Sequence, residues 1–225
     1  MPRPFLVVDR VDTPEGPLEL RQRGDSEFLI LHAGRVLMSS AIHRTEAEVA
    51  VLGCRGLESA ERPRVLIGGL GLGFTLRAAL DVLPKRAEVV VAELNPRVVD
   101  WCKGPVAPVI GHALDDRRVE VVVGDVIAVA RAAAKQPFDA IVIDLYEGPK
   151  ELPKGKPDLL YGKSACEAVR DALVLGGTYA VWSEEPYGPF EGRLKSLGFQ
   201  VERVRAGRGG PRHAVYLAKK KRVRD

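Results

Sequence analysis

The run from Arg64 to Asn95, RVLIGGLGLGFTLRAALDVLPKRAEVVVAELN, constrains this chain more than any other stretch. Val65-Leu66-Ile67 is a short apolar run that suits a strand buried on both faces. Gly68-Gly69-Leu70-Gly71-Leu72-Gly73 follows, and glycines there can take positive φ and let the backbone approach a ligand closely. Phe74 to Leu83 has helical apolar spacing, and Pro84 stops it. Ala87 to Ala92 predicts a second buried strand, with Glu93 at its carboxyl end. An acid about 20 residues after a glycine turn places a carboxylate on ribose hydroxyls. The stretch therefore predicts a nucleoside cofactor on a doubly wound sheet.

The glycine spacing narrows the cofactor. A nicotinamide fingerprint needs G-x-G-x-x-G, and Phe74 or Leu76 falls where the third glycine would stand. No Gly-Lys-Ser/Thr follows, so the P-loop reading fails as well. Gly69, Gly71 and Gly73 form G-x-G-x-G, as in S-adenosylmethionine-binding transferases, whose sulfonium nucleoside has no pyrophosphate to lay on a helix N-terminus. The expected contacts are the turn Gly69, Gly71, Leu72 and Gly73, with Glu93 on the ribose.

A chain of 225 residues suits one main domain plus an appendage. Its 34 Lys and Arg against 30 Asp and Glu leave a net charge of +4. The tail Lys219-Lys220-Lys221-Arg222-Val223-Arg224 accounts for that excess, so the near-neutral body predicts no nucleic-acid partner. The tail itself reads as a solvated end. Cys54, Cys102 and Cys166 are isolated and odd in number, which fits a reducing cytoplasm. Neither they nor His32, His43, His112 and His213 show a metal spacing, and no G-x-S-x-G is present. Metalloenzyme and hydrolase readings fall away, and no metal cofactor is expected. MPRPFLVVDR has no long apolar core and no membrane span is evident, so a cytoplasmic protein without a membrane partner is expected.

Two units are expected: residues 1–62, a small antiparallel β region plus a linking helix, and residues 63–225, a Rossmann-like domain. Leu18 to Arg21 and Phe28 to Leu31 read as strands, with Gly24-Asp25 and Ala33-Gly34 as turns. Thr45-Glu46-Ala47-Glu48 fits a capping box and predicts a helix from there to about Leu57. Beyond Glu93, Pro96 opens a helix, and Val119 to Val123 is a strand that ends in Gly124-Asp125. Helix Val126–Lys135 and strand Phe138–Ile143 follow, the strand ending on Asp144. Leu145 to Leu160 is a loop rich in Pro, Gly and Lys; Lys163 to Leu175 reads as helix and Thr178 to Trp182 as strand. Phe190 to Leu197 is helical, and Phe199–Arg205 with Ala214–Ala218 closes a hairpin around Gly207-Arg208-Gly209-Gly210. Repeated β-α units give a parallel sheet, and this hairpin adds an antiparallel edge.

Ligands of such sheets bind outside the carboxyl ends of the strands. Those ends carry Gly69 to Gly73, Glu93, Asp125, Asp144 and Ser183-Glu184-Glu185. Asp125 opens a helix, so a structural cap and a ligand contact are both open to it. Asp144 precedes a loop rather than a helix, which favours a functional role. Tyr146 and Glu184 are candidates to touch an acceptor, with a solvated turn the alternative for Glu184-Glu185. Arg212-His213 reads as a polar edge that can face the site.

These residues resemble the spermidine synthases, polyamine aminopropyltransferases built on the class I methyltransferase fold. The likeness runs from about Leu31 to Trp182. It rests on the glycine turn with Thr75-Leu76-Arg77, Val91 to Asn95, Asp116 to Val121 with Gly124-Asp125, Phe138 to Asp144, and Leu160-Tyr161. Gly34 to Ser39 is similar to the end of that family's N-terminal β domain. The resemblance implies that Glu93 holds the ribose, Asp125 the adenine amino group, and that Asp144 deprotonates or orients the attacking amine. It also implies S-adenosylmethionine or its decarboxylated form as co-substrate, and a homodimer through the β region.

The sequence departs from the family pattern at defined places. Leu72 stands where the family's glycine turn usually has an Asp for the aminopropyl ammonium. Leu37 replaces a glutamine, and Glu46-Ala47 a tyrosine-histidine pair, while the following acid is kept as Glu48. Lys150, Lys154 and Lys156 in the loop after Asp144 would line a polyamine site poorly, or else belong to a solvated lid. Methyl transfer from S-adenosylmethionine to a small-molecule or peptide nucleophile is therefore the first expectation. Aminopropyl transfer is the alternative, and a nucleoside-binding protein without catalysis the third.

Overall fold

The computed structural model describes residues 3–207 and 213–221, so Arg212 and the tail beyond Lys221 lie outside the described residues. The chain opens with a four-stranded antiparallel sheet in sequence order: β1 (Leu6–Thr13), β2 (Gly16–Arg23), β3 (Glu27–His32) and β4 (Arg35–Ser39). Gly24 and Gly34, in the two expected turns, have φ of 60° and 79°. Leu18, Leu20, Phe28 and Ile30 of the inner strands are buried in one apolar cluster with Val65, Leu70 and Leu72 of the main domain. The small sheet thus shares its core with the glycine turn.

Helix α1 (Arg44–Gly53) follows, but the expected capping box does not form. His43 occupies the cap without a side-chain bond to the helix, and Thr45 lies inside the first turn, its hydroxyl on Glu46 Oε2 at 3.0 Å. The helix also ends four residues earlier than Leu57, and Gly56, at φ 89°, turns the chain away. α1 lies on the main sheet so closely that a Cβ on Gly53 would come within 2.8 Å of Val142 and 2.9 Å of Ala180.

The main domain runs β5 (Arg64–Gly68), α2 (Phe74–Val82), β6 (Glu88–Glu93), α3 (Pro96–Lys103), β7 (Val119–Val123) and α4 (Val126–Ala132). It continues with β8 (Phe138–Ile143), α5 (Lys163–Asp171), β9 (Leu173–Ser183), α6 (Gly188–Ser196), β10 (Phe199–Arg205) and β11 (Ala214–Lys220). The seven strands are ordered β10-β11-β9-β8-β5-β6-β7. β5 to β9 are mutually parallel, and β11 inserts antiparallel between β9 and β10. This is the expected α/β class I methyltransferase-like sheet with its antiparallel edge hairpin.

One boundary differs. Leu173-Val174-Leu175 is strand, not helix, because α5 stops at Asp171. Gly176, at φ 85°, marks a bulge within β9 rather than a helix end, where the register against β8 shifts between Phe138 and Ala140.

Candidate active site

β5 lies between β6 and β8, so the chain leaves the sheet centre in opposite directions and opens a crevice at its carboxyl edge. Gly69, Gly71 and Gly73 take φ of 91°, 51° and 81°, where an L side chain is strained. A Cβ on Gly69 would fall 2.6 Å from the Asp144 carbonyl oxygen, and one on Gly71 2.6 Å from Met38 Sδ. The turn is therefore wedged between the end of β8 and strand β4.

Glu93 is buried and braces this turn: Leu70 N–H donates to its Oε2 at 2.8 Å and Asn95 N–H to its Oε1 at 2.9 Å. Each oxygen retains lone-pair capacity for a further donor such as a ribose hydroxyl. Leu72 is fully enclosed in the core, and only its N–H reaches outward, to Met38 Sδ at 2.9 Å. Its side chain is not part of the ligand wall.

Between the small sheet and the strand ends lies a cavity of about 940 Å³. Gly69, Gly71, Glu93 and Asn95 line one end; Met38, Leu37 and Ile30 come from the small sheet. Six carboxylates face it, from Asp12, Glu15, Glu46, Glu93, Asp144 and Glu184, against the two guanidinium groups of Arg35 and Arg97. Both arginines already hold acids: Arg35 reaches Glu147 at 3.4 Å and Arg97 reaches Asp9 at 2.7 Å. The field in the cavity favours cations. Lys150, Lys154 and Lys156 do not line it, and Lys150 is paired with Glu147. The loop lysines therefore set no barrier to a cationic substrate.

Asp144 stands at the end of β8, where desolvation pushes its carboxyl up to about 7. The Thr75 hydroxyl donates to its Oδ2 and opposes the rise, while the nearby Glu46 charge adds to it. A carboxyl poised near neutrality in a cleft suits proton transfer.

The other expected residues are placed unequally. Tyr146 lines the cavity under Arg35, whose guanidinium carbon is 5.4 Å from the ring centre. Glu184 lines it from the end of β9. Asp125 is exposed outside the lining, and its Oδ1 caps α4 by accepting from Ala128 N–H at 2.7 Å. Its structural alternative is thus realised.

Thr75 and Glu46 were not singled out as ligand contacts by sequence, although both follow from where the glycine turn and α1 lie. Glu46 carried a signal, since it replaces an aromatic of the related pattern. His213 lines the cavity too, edge-on to Trp182 at 4.9 Å between ring centres. Trp182 Nε1 is buried and finds no hydrogen-bond partner among the described residues.

Comparison with known proteins agrees with this architecture. A polyamine aminopropyltransferase of Clostridium tetani is 31% identical over 124 residues, 55% of this chain and 42% of that protein. One of Mycobacterium tuberculosis is 31% identical over 169 residues, 74% of this chain and 30% of that protein. Putrescine N-methyltransferase 2 of Nicotiana attenuata is 33% identical over 121 residues, 54% of this chain and 31% of that protein. The chain thus spans less than half the length of these curated relatives. The structure of spermidine synthase from Thermotoga maritima superposes with a TM-score of 0.73 at 18% identity, covering 95% of this chain and 72% of that one, which speaks for the fold alone. The family described as Spermine/spermidine synthase domain matches residues 47–188. That match takes in the glycine turn, Glu93, Asp144 and Glu184, and the chain belongs to this family.

Proposed function

We propose that the protein transfers an alkyl group from an S-adenosyl sulfonium donor to a small amine. One observation carries this reading: Asp144, with its carboxyl near 7, faces a cavity that six carboxylates make attractive to an amine's cationic form. The amine nitrogen, in its neutral form, attacks the carbon bonded to sulfur. An N–C bond forms as the C–S bond breaks, and that electron pair stays on sulfur, which leaves as a neutral thioether. The proton shed by the alkylated nitrogen passes to ionised Asp144. Glu93 would hold the ribose with its remaining lone pairs, and the glycine turn would lie along the nucleoside. Such a transfer depends on in-line placement more than on strong acid-base help.

Methyl transfer from S-adenosylmethionine is the first reading for the group moved. No carboxylate from the glycine turn reaches the cavity, because Leu72 is both apolar and buried. The glycine turn thus offers an aminopropyl ammonium no anchor and does not itself repel a methionine carboxylate. N-methyltransferases stand among the relatives. Aminopropyl transfer from the decarboxylated donor is the second reading, favoured by the excess of acids over arginines in the cavity. Incubation with each donor and 1,4-diaminobutane, followed by mass analysis of the amine, separates the two. An N-methylated diamine is expected. No alkylated amine from either donor would defeat the proposal.

A further inference from the structure

We propose that Glu46 is a specificity-determining residue that holds the non-reacting ammonium of a diamine, while Asp144 meets the reacting nitrogen. This rests on the amine-transferase reading above and names the residue that would select the acceptor. The two carboxylates reach one cavity from different elements, Glu46 from the first turn of α1 and Asp144 from the end of β8. Thr75 ties them together: its hydroxyl donates to Asp144 Oδ2 and lies 3.3 Å from the Glu46 carbonyl oxygen. Thr75 thus links the Asp144 carboxylate to the backbone of Glu46, and the Glu46 charge is felt at Asp144.

Glu46 is held in place yet left without a cation. The Thr45 hydroxyl donates to Glu46 Oε2 at 3.0 Å, and the same hydroxyl lies 3.3 Å from His213 Nδ1. His213 is in turn packed edge-on against Trp182. No lysine or arginine pairs with Glu46 among the described residues. The other charged and titratable groups on this wall are Glu184 and His213 from the main sheet, with His32 and Arg35 from the small sheet. Arg35 is engaged by Glu147, so it does not neutralise Glu46. Two other acids of the cavity are engaged: Glu93 accepts two backbone N–H groups, and Asp12 lies 3.7 Å from Arg10. A half-buried carboxylate fixed by a hydroxyl, beside a second one and with no counter-ion, is completed by an ammonium group.

The test is calorimetric titration with 1,4-diaminobutane and with 1-aminobutane, on the native protein and on Glu46→Gln. Native protein is expected to bind the diamine about tenfold or more tightly than the monoamine, the range set by one hydrogen-bonded charge pair. Glu46→Gln keeps the shape of the side chain, and should remove that preference by weakening the diamine alone. Thr45→Val should weaken the preference in part, and Thr45→Ser should restore it. An unchanged preference in Glu46→Gln, or equal loss for both amines, would overturn the role of Glu46 while leaving the amine-transferase reading in place. Native protein that binds neither amine would overturn both.

Discussion

Asp144→Asn isolates the electrostatic cost that the site imposes on the fold. Burial raises the Asp144 carboxyl from 3.8 to about 7, with Glu46 adding to the rise and Thr75 opposing it. Opposing ionisation over that interval corresponds to about 4 kcal/mol against the charged form, an upper figure because water entry and local relaxation reduce it. The sign follows from proton counts. Below about pH 4 both folded and unfolded chains hold the proton, and there is no cost. Between about pH 4 and pH 7 the unfolded chain ionises while the folded one does not, so this residue's contribution to stability falls as pH rises. Above about pH 7 the cost is full and constant. Asparagine carries no charge and can still accept the Thr75 hydroxyl through Oδ1. The variant should therefore gain stability over native protein by roughly 2 kcal/mol more at about pH 8 than at about pH 5. For a chain of this size that is a difference of several degrees in Tm, at roughly 2–4 °C per kcal/mol. Thermal unfolding of both proteins at the two pH values is the assay, with alkyl transfer measured alongside and expected to be lost. A Tm difference that is the same at both pH values, or larger at the lower one, would refute the burial of an opposed carboxyl.

Three further outcomes follow from the site. Glu93→Ala should weaken donor binding by roughly 1.5–3 kcal/mol, the usual range for hydrogen bonds to a charged group, as read by calorimetry with S-adenosylmethionine. Leu72→Asp should destabilise the protein rather than switch its donor, because the carboxylate would enter a fully enclosed core position; a urea midpoint equal to native would contradict that placement. The segment from Leu145 to Leu160 contains no helix or strand, so its amides should exchange quickly in the free protein and slow when donor and amine bind. Slow exchange before ligand is added would contradict this.

Much of the main domain was legible in the sequence because apolar runs and their stops coincide there. Phe138–Ile143 and Phe199–Arg205 fall on β8 and β10 residue for residue, since each is bounded by a turn or a charge change. The acids at strand ends were readable for the same reason: a parallel strand ends where its apolar run ends. Boundaries failed where local patterns are degenerate. Leu173-Val174-Leu175 fits a helix or a strand equally, and the pairing of Leu173 with Phe138 of β8 decides where the strand begins. The Thr45–Glu48 pattern has the residue types of a capping box, but the cap falls two residues earlier, on His43, and Thr45 turns toward Glu46 and His213. The burial of Leu72 and the exposure of Asp125 were not readable. The first depends on how Met38 of distant β4 packs on the turn, and the second on which of two open roles, helix cap or ligand contact, the residue before α4 takes. Glu46 joins Asp144 only through the docking of α1 on α2, a contact no local spacing encodes.

The central claim is that this cavity binds an adenosyl sulfonium compound beside an acid poised to take a proton from an amine. Titrating the protein side by side with S-adenosylmethionine and its decarboxylated form tests it most directly. A measurable heat is expected with S-adenosylmethionine, and weaker binding of the decarboxylated donor, because no carboxylate projects from the glycine turn. Tighter binding of the decarboxylated donor would replace methyl transfer by aminopropyl transfer. No heat with either donor, nor with the thioether products, would contradict the account itself.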